Sequence, residues 1–429
     1  MRAADGGMSR HDPTVTATPP VVLRDLHVVG RTGHVDGPVD VRLQEGRITA
    51  VGPRVAGDGS RDVDMAGVFA MAGVVDCHTH LAVSSTDVVE ILATPASVRT
   101  LQAADAARRT VRAGVTFARD AGGADAGLRA GLVRGLAEGP SLQISVVMIS
   151  RTGGHADGHL PELDLELAAD GRIPPPGGPG HLVDSVDDVR RVVRQVLRAG
   201  GEWIKLCATG EIASDFDDPL APELSEAELS TAVVEAAVRG RRVMVHAYGG
   251  EGLDNALAAG VASIEHGTLL TERQARRMAR QGTFLVPTMS VLEGAVQSAR
   301  EGQMPDSHRA KTLAIAPRLA EVLPIASSAG VAVALGSDAA EHSAHGRNLA
   351  EIAALRRGGL PAHDCLRAAT IEGARLLGID DTRGAIEPGM IADLALLDED
   401  PSDCLCFDRD DVVTGVIQNG RWVVRHPRA

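Results

Sequence analysis

Apolar and polar positions along this chain fall into three regimes. Residues 21–66 alternate them around turns, as in Val-Val-Leu-Arg-Asp-Leu-His-Val-Val from Val21 and in the stretch from Val39 to Gly52. Side chains of a strand point to opposite faces in turn, so this period of two predicts short antiparallel strands. The far end repeats the pattern in Ala392–Asp400 and Val413–Val424. Two such β segments at opposite ends of a chain can pair into one small domain, a β-sandwich.

The middle reads differently. Eight short apolar runs alternate with helical stretches: Val74–Cys77, Val115–Ala118, Gln143–Ile149, Trp203–Cys207, Val243–His246, Ala262–Glu265, Phe284–Pro287 and Val331–Gly336. The helices carry their own punctuation. Ser185 with Asp188 three residues on opens one, Val189, Val192, Val193, Val196 and Leu197 give it an apolar stripe, and Gly200 ends it. Ser225 and Glu228 form a second capping signal. Eight β/α units predict an α/β fold, a parallel (β/α)8 TIM barrel over residues 71–379. The β-sandwich takes residues 21–70 and 380–429, and residues 1–20 read as a disordered tail. An open doubly wound sheet would favour a glycine-rich first turn. Here the first turn is Asp76-Cys-His-Thr-His80, which suits a metal better than a phosphate.

Composition narrows the function. Net charge is −14, no basic run appears and aromatics are 2% of the chain, which argues against nucleic-acid partners. No stretch of 18 apolar residues is present, so no membrane span is expected. The start lacks an apolar signal core, and five scattered cysteines do not make a disulfide framework, so a reducing cytoplasm is the expected setting. Two scarcities add something. Lys205 and Lys311 are the only lysines among 43 basic residues, and Tyr248 is the only tyrosine. Lys205 falls in an apolar strand, where a lysine is costly; Lys311 reads as a surface residue.

The candidate chemistry sits at strand ends. In extended backbone His78 and His80 point the same way and can reach one ion. Lys205, His246, His266 and Asp338 end later strands, and in a barrel these ends converge on one mouth. Any one of these histidines alone reads as an ordinary buried residue; their coincidence at five strand ends reads as a metal site. An ammonium cannot be a ligand, but burial lowers a lysine's pKa, and a neutral amine can take up CO2 as a carbamate with two oxygens. Arg cannot do this, because its guanidinium stays protonated.

These residues resemble the amidohydrolase superfamily. The likeness rests on Met71–His80, on Gly384–Gly389 and on Ala392-Asp-Leu394. Within it, Arg119-Asp120-Ala-Gly-Gly, Thr152-Gly-Gly-His155, Ile204-Lys205, His246-Ala-Tyr248, Glu265-His266-Gly, Ser337-Asp338 and His345-Gly-Arg-Asn348 are similar to the branch of prolidases, lysine/arginine carboxypeptidases and ochratoxin-hydrolysing amidases. The resemblance implies two divalent ions, usually Zn2+, and a homo-oligomer. His78, His80 and Asp338 would bind the buried ion, His246 and His266 the exposed one, and a CO2-derived carbamate on Lys205 would bridge both. A bridging hydroxide would attack the amide of a dipeptide or N-acyl amino acid, with Asp338 relaying its proton.

His155 and Tyr248 would meet the substrate, against bland readings as a loop histidine and a packing residue. Glu211 stands where relatives commonly have glycine or an apolar residue, and either meets a basic group of the substrate or belongs to a solvated acidic loop. His159, His181, His342 and His345 read as ordinary loop histidines. The Pro/Gly-rich segment 153–184 reads as a lid or pocket wall. Two alternatives remain at this level: a cyclic-amide or lactone hydrolase of the same superfamily, and a catalytically silent metal-binding scaffold.

Overall fold

The computed structural model describes residues 20–85, 88–159, 177–178, 180–213 and 217–429. Most of the expected tail and the middle of the 153–184 segment lie outside these residues.

The alternating N-terminal segment forms β1 (Val21–Val29), β2 (Val35–Gln44), β3 (Arg47–Gly52), β4 (Arg61–Asp64) and β5 (Phe69–Ala72). β1 pairs antiparallel with β2, and β2 with β3, while β4 and β5 lie parallel to β1. The apolar runs then give β6 (Val74–Thr79), β7 (Val115–Asp120), β8 (Ser141–Ile144), β9 (Met148–Ser150), β10 (His181–Leu182), β11 (Trp203–Cys207), β12 (Arg242–Ala247), β13 (Ser263–His266) and β14 (Phe284–Val286). All their ladders are parallel, in the orders β6-β7-β8 and β10-β9-β11-β12-β13-β14. β6, β7 and β11 are buried at every residue, as expected of strands covered on both faces. The chain returns as β15 (Leu394–Leu397), β16 (Val413–Gln418) and β17 (Arg421–Val424), and β15 pairs antiparallel with β5. Both chain ends therefore share one sheet, as the alternation predicts, in a mixed α/β fold.

Both helix readings hold. Ser185 caps Val186–Arg198, with Val189, Val192, Val193 and Val196 buried. Ser225 and Glu228 form a reciprocal capping box on Glu226–Ala237.

Two strand expectations need correction. The run Gln143–Ile149 is split, because Val146 takes a left-handed φ of 69° and turns the chain between β8 and β9. That conformation is strained for a β-branched residue, and a hydrogen bond from Gly123 N to Val146 O holds it. The run Val331–Gly336 forms no regular strand; only isolated bridges Leu285↔Val333 and Thr79↔Ala339 remain. Leu335 N donates to Ala368 O instead of to a neighbouring strand, which interrupts the ladder. The segment is still bonded on both sides, through Ala334 N to Leu285 O and Cys77 N to Leu335 O.

One buried acid anchors a helix beside the mouth of the parallel strands. The helix Met289–Glu301 starts after Thr288, whose side chain does not cap it. Glu351 does so from a distance, accepting from Met289 N at 2.8 Å and Ser290 N at 2.7 Å. Burial pushes its carboxyl up to about 8. Between its ordinary pKa and that value the folded chain holds a proton that the unfolded chain releases, so this group lowers stability as pH rises through the window. Urea unfolding should show this loss, at most about 1.4 kcal/mol per pH unit, flattened in Glu351→Gln.

Candidate active site

The mouth of the parallel strands is built from their C-terminal ends. His78 and His80 close β6, both buried. His78 Nδ1 lies 2.7 Å from Glu265 Oε2, and its Nε2 3.3 Å from Asp338 Oδ1. His80 Nδ1 lies 2.9 Å from Gly122 O, and its Nε2 3.4 Å from the same Asp338 oxygen. Asp338 reaches this point through a left-handed backbone, φ 53°, with its N–H bonded to His78 O at 2.7 Å. The donor atoms of His78, His80 and Asp338 lie within 4.8 Å of one another.

Opposite them stand His246 and His266, ring centroids 4.6 Å apart. His266 Nδ1 is fixed by Thr288 Oγ1 at 2.7 Å. His246 Nδ1 is buried and has no hydrogen-bond partner among the described residues. Lys205, 1% exposed, lines the same cavity of about 400 Å³. His155, Glu211 and Tyr248 also line it, so every residue singled out from the sequence borders one space. His159, His181, His342 and His345 do not. A second donor group within 4.8 Å joins His246 to His155 and Glu211, residues expected only to touch substrate.

Electrostatics pull these groups in different directions: burial opposes the charged form of His80, but the Asp338 carboxylate beside it raises its pKa above the ordinary histidine value. Burial lowers the pKa of Lys205. Burial also brings His266 down to about 3 and holds His246 well below the ordinary histidine value. Burial, then Glu211, lifts the Tyr248 phenol well above its usual range. These residues fit a metal by their donor chemistry. His78, His80 and His266 each have Nδ1 tied to a group behind the ring, and the Nε2 atoms of His78 and His80 converge on Asp338, the arrangement that orients metal-binding imidazoles. The unpartnered His246 Nδ1 points to the same conclusion.

The groups behind these side chains were named from the sequence only as motif residues, with no role given to them. Arg119 and Glu265 form an ion pair with no exposure, Nη2 to Oε1 at 3.0 Å. Arg119 also donates to Ser263 Oγ and Cys77 O and lies 4.5 Å over the Trp203 ring. Asp76 accepts from His78 N, Ser337 N, Ser337 Oγ and Asn348 Nδ2, tying the first run to the last. Asp120 accepts from the Leu81, Gly122 and Ala124 amides and so fixes the turn whose carbonyl holds His80. Charged residues inside otherwise apolar runs were the available signal.

Lys311 is not the surface residue expected. It is partly buried, and its Nζ donates to Glu211 O at 3.3 Å and Asp217 O at 2.9 Å. It thereby fastens the loop of Glu211, whose own amide bonds Asp217 Oδ2 at 2.9 Å. Of the acidic run, Glu211, Ile212 and Ala213 line the cavity; residues 214–216 lie outside the described residues. Glu211 Oε1 accepts from Tyr248 OH at 2.9 Å and from Ile212 N at 2.6 Å. Of the 153–184 segment, Ala156, Asp157, Gly158, Gly177, Gly178 and Gly180 line the cavity, as a pocket wall would.

Residues 69–423 match the amidohydrolase family. This chain belongs to that family. Ochratoxinase of Aspergillus niger is 31% identical over 361 residues, 82% of this chain and 75% of that protein. A solved prolidase complexed with N-methylphosphonate-L-proline has a TM-score of 0.87 at 31% identity, covering 95% of this chain and 100% of that one. A Xaa-Pro dipeptidase with bound methionine in its active site has a TM-score of 0.84 at 26% identity, covering 94% and 99%. The chain is accordingly an enzyme, a hydrolase acting on amide C–N bonds. No helix among the described residues is long and apolar enough to cross a membrane. The five cysteines are free and buried.

If Glu265 orients His78 toward an ion, Glu265→Gln should weaken zinc binding by about tenfold to a hundredfold, measured by competition with a chromophoric chelator. Glu265→Leu should instead destabilise the fold by about 3–5 kcal/mol in urea, because it strands Arg119.

Proposed function

We propose that this amidohydrolase cleaves an amide bond of a dipeptide or N-acyl amino acid at a two-metal site. The observation that carries this reading is the convergence of His78, His80, Lys205, His246, His266 and Asp338 on one cavity, with ring nitrogens turned to it and a lysine buried among them. The parallel strands and the 331–339 segment are read as a closed (β/α)8 barrel over residues 71–379, with the shared sheet as a separate domain of residues 21–70 and 380–429.

His78, His80 and Asp338 would hold the inner ion, and His246 and His266 the outer one. Lys205, driven toward its neutral amine, is the one side chain here able to carry a carbamate between them. When bound, two divalent ions, zinc foremost, supply Lewis acidity toward the carbonyl and acidify the attacking water.

The chain's own groups do the rest. Burial opposes a charge on Asp338, but His78 and His80 beside it hold its carboxyl well below the usual range. With its Oδ1 3.3 Å from His78 Nε2 and 3.4 Å from His80 Nε2, Asp338 would accept the water's proton and pass it to the nitrogen as the C–O bond forms and the C–N bond breaks. His155, stacked 4.5 Å from His246, would meet the carbonyl oxygen. Tyr248 orients Glu211, and both face the bound substrate. The names of the relatives support amide chemistry on amino-acid derivatives.

Metal analysis of protein grown in zinc should give about two ions per chain. Screening dipeptides and N-acyl amino acids should find a substrate, and Lys205→Ala should lose activity on it by about a hundredfold or more. Full activity in metal-free Lys205→Ala protein overturns the reading.

A further inference from the structure

The motif Thr152-Gly-Gly-His155 has a partner that no local pattern announces. His155 N donates to Glu223 Oε1 at 2.6 Å. Glu223 is 7% exposed, and its Oε2 has no hydrogen-bond partner among the described residues. The carboxyl lies flat beneath the turn: a Cβ added at Gly154 would stand 2.4 Å from Oε2 and 2.6 Å from Cδ. Gly153 turns the chain there with a left-handed φ of 72°. The two glycines thus have separate reasons, one for conformation and one for close approach.

The anchor is itself fixed. Glu223 N donates to Ala208 O at 2.9 Å, and Pro222 bridges Thr209. Glu223 therefore hangs from the segment that continues β11, the strand of Lys205. Other bonds hold the turn's flanks, Thr152 to Asp184 and Ala156 N to Ser150 Oγ, but only the Glu223 bond grips the His155 backbone among the described residues. Burial pushes the Glu223 carboxyl up to about 8, as suits a group sealed from water under the loop.

We propose that Glu223 is a positioning residue for His155: its carboxyl is the seat on which the Gly153-Gly154 turn rests, and it sets the reach of the His155 ring over the substrate relative to Lys205. The proposal rests on the reading that His155 contacts the substrate.

The test is a double-mutant cycle on the zinc-loaded full chain, with an amide that the wild type cleaves. Glu223→Leu should lower kcat/KM about tenfold or more in the wild-type background and less than about twofold in His155→Ala. Glu223→Gln, which keeps an acceptor oxygen, should restore it to within about threefold of wild type. Equal losses in both backgrounds, or no loss in wild type, overturn the proposal. Should Glu223→Leu not fold, Gly154→Ala disturbs the same seat from the other side and should show the same dependence on His155. Hydrogen exchange separates this idea from the activity it rests on. The His155 amide should be protected in wild type and exchange about tenfold faster or more in Gly154→Ala. An unprotected amide sinks the clamp even if amides are cleaved; a protected amide with no amide cleaved sinks the assigned activity and leaves the clamp standing.

Discussion

Glu265 is a carboxylate with no exposure, and a buried charge must be satisfied on every side. The groups that satisfy it are the frame of the site. Arg119 pairs with it from β7, Ser263 donates to it from its own strand, and His78 meets it from β6. Three strands are thereby registered around one carboxylate before any ligand arrives. Arg119 extends the frame to the Cys77 carbonyl and the Trp203 ring. Breaking such a unit at one member leaves the opposite charge stranded, so it holds together as a whole.

The same device recurs around the rim. Asp76 joins the first and last parallel segments, Asp120 fixes the turn behind His80, Glu351 caps the helix after Thr288, and Glu223 seats the turn of His155. Each is a buried acid that accepts at least one backbone amide from a different element. Backbone donors at loop turns and helix starts lack partners of their own, and a carboxylate satisfies several at once. The mouth is thus held by long-range acceptors rather than by continuous ladder, which is why it can tolerate the missing eighth strand.

The cavity wall adds further groups around the candidate metal-binding residues. Glu211 stands between Tyr248 and the His155–His246 pair, and Lys311 fastens its loop from a neighbouring helix. Both lysines of the chain therefore serve this region, one inside the strand bundle and one behind the loop. Tyr248 donates its hydroxyl proton to Glu211.

Much of this was legible in the linear chain. Six of the eight apolar runs became strands near their expected places, because burial on both faces of a parallel strand writes a local apolar signature. Helix starts at Ser185 and Ser225 were legible because capping involves residues only three apart. The candidate residues were legible because the C-terminal ends of neighbouring parallel strands lie on the same side. What the linear chain could not determine are pairings over long separations. His78 to Glu265 spans 187 positions and Lys311 to the Glu211 carbonyl spans 100. The loss of the eighth strand comes from the bond of Leu335 N to Ala368 O, and the break at Val146 from the grip of Gly123. Local periodicity carries no term for any of these. Hydrophobic patterning thus determined which segments are buried and which chemistry meets at the mouth, whereas the tertiary structure alone decided which acid satisfies which donor. That choice depends on distances in space, which only packing creates.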